Sequence, residues 1–464
     1  MDLGQRRRLT RRSLVAAGPG AVIAATTAAP VAGATTAEPS APPAADAFAS
    51  AVAHLVPGGA VDEAYWLRVR AEFNLRDRLT WLNTGTFGPS PRLVPETFAR
   101  IGREQAEDPG TSARAKEREA TRAALAKLIA ATPEETIITR STTEGVNIFA
   151  HGLDWRAGDE VVMATHEHPG GYGAYRTLAE RHGVKIRWVD LPAPPAAPEQ
   201  IVDLYARAIT RKTRVVFASH VMFINGTIVP VRALADLAHR NGCLISVDGA
   251  HTAGALPIDV KAIDCDHYAA AGQKWLMAGA GTGFSYLRRE LQPKVWPLMS
   301  WTDPVEEKED RASARKYETT GQRNMASIAA LGAAVAFHQA IGPENVAARV
   351  RALGARLRDG LAAIPGLKLY TARDAALSAG ITTFGFQDNG ITSDNLAGAL
   401  FTLHGMRASR QFNDRGPSAG WNSVRVCTHI FVMPDEVDRL IAAVAEIGAA
   451  PDKFRAMTWA AQAT

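Results

Sequence analysis

The sequence predicts an α/β fold: a mostly parallel sheet flanked by helices, with a smaller C-terminal α/β domain after it. Apolar, β-branched runs such as Glu160–Ala164, Thr213–His220 and Cys243–Asp248 alternate with helical patterns of roughly ten to fifteen residues, as parallel βαβ units do. The runs are nearly continuous in apolar residues, which suits strands covered on both faces. With 464 residues and 47% hydrophobic content, the chain has material for a large core and two domains.

The N-terminus stands apart. Arg6-Arg7-Arg8 and Thr10-Arg11-Arg12-Ser13-Leu14-Val15 precede an Ala-rich, mildly apolar region that closes on Ala32-Gly33-Ala34. A charged region, a weakly apolar one and an A-x-A cleavage signal therefore occur in order over residues 1–34. The twin arginine resembles a Tat export signal, which implies the Tat machinery as a partner and a periplasmic or extracellular location. That route carries folded proteins. Removing residues 1–34 takes the formal charge from +5 to +1, so the basic balance belongs largely to the signal and gives no reason to expect nucleic acid. Residues 35–60, rich in Ala, Pro, Ser and Thr, read as a flexible linker, and 61–100 as an N-terminal segment opening with a short helix near Asp62–Trp66. No later stretch is long and apolar enough to span a bilayer. Cys243, Cys265 and Cys427 are too few and too scattered for a disulfide framework, and no metal site is expected.

Trp81–Pro89 reads as a strand entering a Gly-punctuated turn, and 92–131 as helical up to a stop before Pro133. Ile137–Asn147 is a short strand, a hydroxyl-rich turn and a helix start. Free N–H groups and the helix dipole make such a turn an anion site, and a capping box from Ser141 to Glu144 is compatible with that. Glu160–Ala164 leads into Thr165-His166-Glu167-His168-Pro169, followed by a helix over Gly171–His182 and a strand over Val184–Val189. Cys243–Asp248 delivers a carboxylate to a strand's carboxyl end, the edge where open α/β sheets bind ligands. Tyr268–Ala271 then leads into Gln273-Lys274-Trp275 and a glycine-rich turn, which lets a flat ligand approach the lysine. A long helical pattern from Ala326 to about Ile364 precedes strands near Leu367–Tyr370, Ile381–Phe386 and Ser423–Val426.

A carboxylate at one strand end and a lysine just after the next suit pyridoxal 5′-phosphate (PLP). The amine holds the aldehyde as a Schiff base, and the acid keeps the pyridine nitrogen protonated. Val247-Asp248-Gly249-Ala250-His251 and Tyr268–Lys274, at this separation, resemble the cofactor core of the class V aminotransferase family of fold-type I PLP enzymes. The likeness runs over roughly residues 78–445.

It implies a seven-stranded-type sheet in a large PLP-binding domain at 101–330 and a small C-terminal domain at 331–464. By the same resemblance, Lys274 is the catalytic lysine. Thr142 and Thr143 take the cofactor phosphate, aided by Gln273. His168 stacks on the ring, Asp248 faces the ring nitrogen and His251 contacts the phenolic oxygen. Thr320 or Gln322 reaches the phosphate of a neighbouring subunit, which implies a homodimer. Arg425 binds the substrate α-carboxylate, with a structural salt bridge as its alternative; Asn83 and Thr84 are candidate substrate contacts or turn formers, and Arg323 binds substrate or phosphate or sits on the surface.

Three departures from the desulfurase pattern stand out: Phe223, Ala271 and Gln273 occupy positions where those relatives carry Asn, Ser and His. Phe412 falls where desulfurases keep their nucleophilic cysteine, which disfavours desulfuration. With the segment Trp296–Trp301, this makes the chain resemble the isopenicillin N epimerase-like branch, acting on the α-amino group and Cα of a small amino-acid-like substrate or a peptide-derived metabolite. An aminotransferase, a C–S lyase or a catalytically silent PLP-fold binding protein are the alternatives.

Overall fold

The computed structural model describes residues 54–55, 62–111, 114–299, 313–411 and 420–459. The expected export signal, most of the linker, Ser300-Trp301 and Phe412 lie outside these residues. The described residues all fall within one compact unit.

The chain enters through α1 (Glu63–Arg70), capped by Asp62, and the short β1 (Thr80–Trp81). Two helices follow, α2 (Leu93–Glu107) and α3 (Ala115–Leu128), where the sequence reads as one stretch over 92–131. The break has a local cause. Asp108 is extended and its Oδ1 accepts the Gly110 N–H at 2.9 Å, and Pro109 has no N–H to continue the ladder.

Then come β2 (Thr136–Thr139), α4 (Thr142–Gly152), β3 (Glu160–Ala164), α5 (Pro169–His182), β4 (Lys185–Val189), α6 (Pro198–Ala208), β5 (Thr213–Ser219), α7 (Val231–Arg240), β6 (Leu244–Asp248), α8 (Val260–Ile263), β7 (His267–Ala271) and β8 (Gly283–Leu287). The seven strands pair in the order β2-β8-β7-β6-β5-β3-β4. All neighbours are parallel except at β8, which runs antiparallel to both β7 and β2. β8 lies beyond the glycine-rich turn, where the sequence shows no clear strand.

Both faces of the sheet are covered. In β5, Val216 and Ala218 pack into one apolar cluster while Val215 and Phe217 pack into the other. From β3 the chain goes one way to β4, then returns to β5 and continues through β6 and β7 the other way. The carboxyl ends of β3 and β5 therefore flank the topological switch point, where ligands bind in such sheets.

The long helical pattern expected from Ala326 is also two helices, α9 (Met325–Ile341) and α10 (Pro343–Ala362), meeting at 78°. Gly342 adopts φ +90 between them and Pro343 starts the second helix. The expected domain boundary at 330/331 falls inside α9. A smaller sheet is built from β9 (Leu367–Leu369), β10 (Ile381–Phe386), β12 (Ser409–Gln411) and β13 (Ser423–Cys427), antiparallel in the order β12-β13-β10-β9. α11 (Ser393–His404) and α12 (Pro434–Ala449) accompany it. β11 (Met406–Arg407) instead pairs in parallel with β1, joining the N-terminal segment to the C-terminal half. Among the described residues no single helix is long and apolar enough to cross a membrane.

One buried ion pair anchors the strand before the hydroxyl-rich turn. Arg122, 1% exposed, grips Glu318, whose Oε1 also accepts the Ile138 N–H at 2.6 Å. Glu318→Ala leaves a guanidinium buried without its partner, so stability should fall by about 3–5 kcal/mol in urea unfolding, with a smaller loss for Glu318→Gln.

Candidate active site

The carboxyl edge of the large sheet gathers the expected groups. Asp248 ends β6, in register with Ser219 of β5 and Ala269 of β7. Its Oδ1 accepts the Ala250 N–H at 2.9 Å, and a Cβ on Gly171 would lie 3.0 Å from its Oδ2. Desolvation raises the Asp248 pKa, opposed by the Ala250 N–H and by the charge of Lys274.

Lys274 follows β7 and is part-buried, its Nζ 3.1 Å from Nε2 of His251. Desolvation lowers its pKa to about 8, while Asp248 pulls it back up. Asp248 and Lys274 feel each other's charge, yet no ion pair joins them among the described residues.

Trp275 settles the proton positions. Its indole N–H can only donate, and it points at Nδ1 of His251 across 3.3 Å. Nδ1 must therefore accept, so a neutral His251 carries its proton on Nε2, which faces the Lys274 nitrogen and can donate to it once that amine has lost its proton. Desolvation and the charges of Lys274, Arg425 and His168 hold the His251 pKa well below its usual value, which keeps the ring neutral.

The hydroxyl-rich turn forms the start of α4. Ser141 caps it by accepting the Glu144 N–H at 3.1 Å. The capping box is only half made, because the Glu144 carboxylate turns back to the Arg140 N–H and guanidinium. The N–H groups of Thr142 and Thr143 belong to a first helical turn that has no intrahelical acceptors for them. Thr142 Oγ1 and Gln273 Oε1 are buried without a partner. The first-turn N–H groups and the orphaned Thr142 hydroxyl can donate to a phosphate, as can Gln273 through its amide NH2 rather than the orphaned Oε1, and Asp248 and Lys274 share one sheet edge without an ion pair among the described residues, so the site fits PLP. Thr142, Thr143 and Gln273 would hold the phosphate, Asp248 would face the ring nitrogen and Lys274 would take the aldehyde.

His168 caps α5, its Nδ1 accepting the Gly170 N–H at 3.0 Å, and meets Phe223 edge-on at 4.8 Å. Desolvation, then the charges of Lys274 and Arg425, lower its pKa to about 4. Beneath it, Glu167 accepts the Ser219 N–H with both oxygens at 3.0 and 3.1 Å and bridges the ends of β3 and β5. Burial pushes Glu167 up to about 8.

Arg425 on β13 brings the small sheet to this edge. Its guanidinium donates to the Phe223 carbonyl at 2.9 Å and to Asn83 Oδ1 and Thr86 Oγ1 at 3.1 Å each. It is 3% exposed, and no carboxylate pairs with it among the described residues. The salt-bridge alternative thus has no partner there. Gly85 lies so close that a Cβ would stand 3.1 Å from the Arg425 guanidinium carbon. Asn83 also makes the turn, its carbonyl accepting the Thr86 and Phe87 N–H groups, and Thr84 Oγ1 is buried without a partner.

Other candidates are placed elsewhere. Arg323 donates to the Ile138 carbonyl at 3.0 Å and lies 3.5 Å from Glu318, so its guanidinium is committed to the strand anchor rather than to the Arg425 cluster. Thr320 and Gln322 line a cleft of about 390 Å³ with Thr139, Arg140, Thr282 and Arg323. Trp275, Thr86 and Glu167 are contributors that reading the sequence did not assign. Trp275 adjoins the lysine, but its bond to His251 spans the loop after β6.

The lysine leaves a stability signature. A lowered pKa means that the folded chain binds fewer protons than the unfolded one between pH 8 and 10.5, so stability rises with pH across that window. In the cofactor-free chain, Lys274→Met should be more stable than wild type at pH 7. The advantage should shrink through pH 8 and vanish above about pH 10.5, as read by chemical denaturation.

The sequence profile of the aminotransferase class-V family matches residues 101–402. Isopenicillin N epimerase of Streptomyces clavuligerus is 30% identical over 399 residues, covering 82% of this chain and 98% of that one. A cysteine desulfurase of Cronobacter sakazakii is 31% identical over 343 residues, covering 71% and 82%. Among solved structures, the cysteine desulfurase CsdA of Escherichia coli superposes with TM-score 0.71 at 24% identity, over 82% of this chain and 98% of that one. The cystine C–S lyase C-DES superposes with TM-score 0.69 at 24% identity, over 80% and 98%. The chain belongs to the aminotransferase class-V family and is a fold-type I, PLP-dependent enzyme.

Proposed function

We propose that this chain is an exported enzyme of the isopenicillin N epimerase-like branch that moves the Cα proton of a free α-amino-acid group, in a small amino acid or a peptide-derived metabolite. The observation that carries the reading is Arg425. A buried guanidinium with no carboxylate beside it among the described residues, within Coulombic reach of Lys274, is built to receive an α-carboxylate. The epimerase relative also aligns along nearly its whole length.

When bound, PLP supplies an electrophilic carbon for the amine and a ring that accepts the electrons left behind at Cα. The protein does the rest. Arg425, Asn83 and Thr86 orient the carboxylate. Lys274, whose amine titrates near pH 8, takes the proton at Cα, and the His251 Nε2–H steadies that amine. Desulfuration is disfavoured because Phe412 occupies the position of the desulfurase nucleophile, while burial raises the thiols of Cys243, Cys265 and Cys427.

The enzyme is proposed to act as a homodimer, with Thr320 or Gln322 reaching the neighbouring subunit's phosphate site. Both residues border an open cleft.

Incubation of the cofactor-loaded enzyme with L-amino acids in D₂O should exchange the Cα proton and yield the D-enantiomer. Accumulation of a keto acid identifies a transaminase, release of a β-substituent a lyase, and no exchange with any amino acid a binding protein. Arg425→Ala should lower kcat/KM by on the order of 100-fold, the size of one or two charge-assisted hydrogen bonds.

Export is tested by replacing Arg11 and Arg12 with lysine. The chain should then accumulate in the cytoplasm on cell fractionation, and unchanged export would refute the Tat assignment.

A further inference from the structure

His429 lies two residues past the end of β13, the strand that carries Arg425, and the chemistry above makes no use of it. It is buried, and its two ring nitrogens are committed in a way that fixes its proton. Nδ1 accepts the Ile430 N–H at 2.7 Å, so the neutral ring carries its hydrogen on Nε2, which donates to the Trp275 carbonyl at 2.8 Å. The His429 and Trp275 rings also lie against each other, 5.1 Å apart with 36° between their planes.

Trp275 directly follows the lysine, so its carbonyl belongs to the turn that aims Lys274. Three successive carbonyls of that turn are held from three directions. Gln273 is held by the Gly88 N–H at 2.8 Å, Lys274 by the Met277 N–H at 3.2 Å, and Trp275 by His429. Two glycines close the space around Trp275. A Cβ on Gly254, where φ is +87, would stand 2.4 Å from the Trp275 carbonyl oxygen, and one on Gly380 would stand 2.9 Å from the far edge of the indole. The Gly380 carbonyl also accepts the Thr428 N–H at 2.8 Å, which fixes the segment bearing His429 beside the indole.

The contacts run in series to the lysine. His429 holds the Trp275 peptide and flanks its ring, the indole N–H meets His251 Nδ1 at 3.3 Å, and His251 Nε2 faces Lys274 Nζ at 3.1 Å. A buried carbonyl deprived of its donor is costly, so loss of the His429 bond turns this peptide toward another donor and carries the indole with it. His251 is then free to place its proton on Nδ1. Its Nε2 lone pair favours a charged lysine, whereas an Nε2–H favours a neutral one.

We propose that His429 is a positioning residue for Lys274: through Trp275 it holds the His251 tautomer that presents an N–H to the lysine nitrogen. This rests on the reading of Lys274 as the cofactor lysine. The segment from Arg425 to His429 thereby serves both sides of the site, its first residue facing the carboxylate and its last setting the lysine. The charged and titratable groups around Lys274 are Asp248, Arg425, Cys427, His168 and His251, and the substitutions at His429 leave all of them in place. The titratable neighbour of His429 is His338 of α9, 6.1 Å away, whose pKa burial lowers to about 3.

The test follows PLP capture by the cofactor-free full chain, read as growth of the visible absorbance band at a series of pH values. Capture joins the lysine nitrogen to the aldehyde carbon and releases water. It needs the amine without its extra proton, so the midpoint of the rate against pH reports on Lys274. In the wild type that midpoint should fall near pH 8. His429→Phe should raise it by about one pH unit, the size of one hydrogen bond. His429→Gln, whose amide nitrogen can still donate to the Trp275 carbonyl, should restore the wild-type midpoint. His429→Asn keeps an acceptor for the Ile430 N–H but falls short of the carbonyl, so it should shift as phenylalanine does and carries the test if that variant does not fold. Trp275→Phe should give the same shift, and His338→Phe should give none. A midpoint unchanged in both His429→Phe and His429→Asn overturns the proposal. So does an equal shift in His429→Gln or His338→Phe, or a wild-type midpoint in Trp275→Phe. If Lys274→Ala captures PLP with the same band and pH dependence as the wild type, the reading of Lys274 itself fails.

Discussion

Asp248 and Lys274 are held near enough to shift each other's charge, but apart, and the rest of the site follows from keeping them so. A direct ion pair would neutralise both and close the gap that a flat ring needs. Parallel pairing of β6 with β7 fixes where each strand ends, and the turn after Ala271 swings the lysine toward His251 rather than onto the aspartate. The donor-only indole of Trp275 then dictates the His251 tautomer. One packing choice in the core thereby sets a proton position at the reacting amine.

Burial does the electrostatic work. The same desolvation that lowers Lys274 toward neutrality raises Asp248 and Glu167, so acids and bases meet at one edge with pKa values drawn toward the middle of the scale. The cost is shared by the frame. Glu167 ties the end of β3 to β5 at the switch point, and Glu318 ties β2 to α3 through Arg122, so the strands beneath the site are clamped by polar groups as well as by apolar packing. The small sheet contributes the opposite requirement, a guanidinium with no carboxylate partner among the described residues.

The cluster around Arg425 is assembled from distant parts of the chain. β1 pairs with β11, and Asn83 meets Arg425 across 342 positions of sequence. Neither contact is visible in a local pattern. Phe223, a departure from the desulfurase pattern, becomes intelligible only here, since its carbonyl holds Arg425 and its ring meets His168.

What the sequence determined by itself was local. The runs ending at Ala164, His220 and Asp248 state their burial through nearly unbroken apolar character, and the order acid, strand, lysine, glycine turn states the chemistry, because each depends on neighbours within a few residues. Helix breaks at Asp108 and Gly342 escaped the periodicity, since a one-residue conformational change interrupts a pattern that continues on both sides. Tertiary structure alone decided the pairings. That Arg323 anchors a strand while Arg425 has no carboxylate partner among the described residues, that Trp275 orients His251, and that His166 meets Trp421 are outcomes of side chains brought together from distant elements. A guanidinium or an imidazole looks the same in the sequence whether or not a partner is waiting for it.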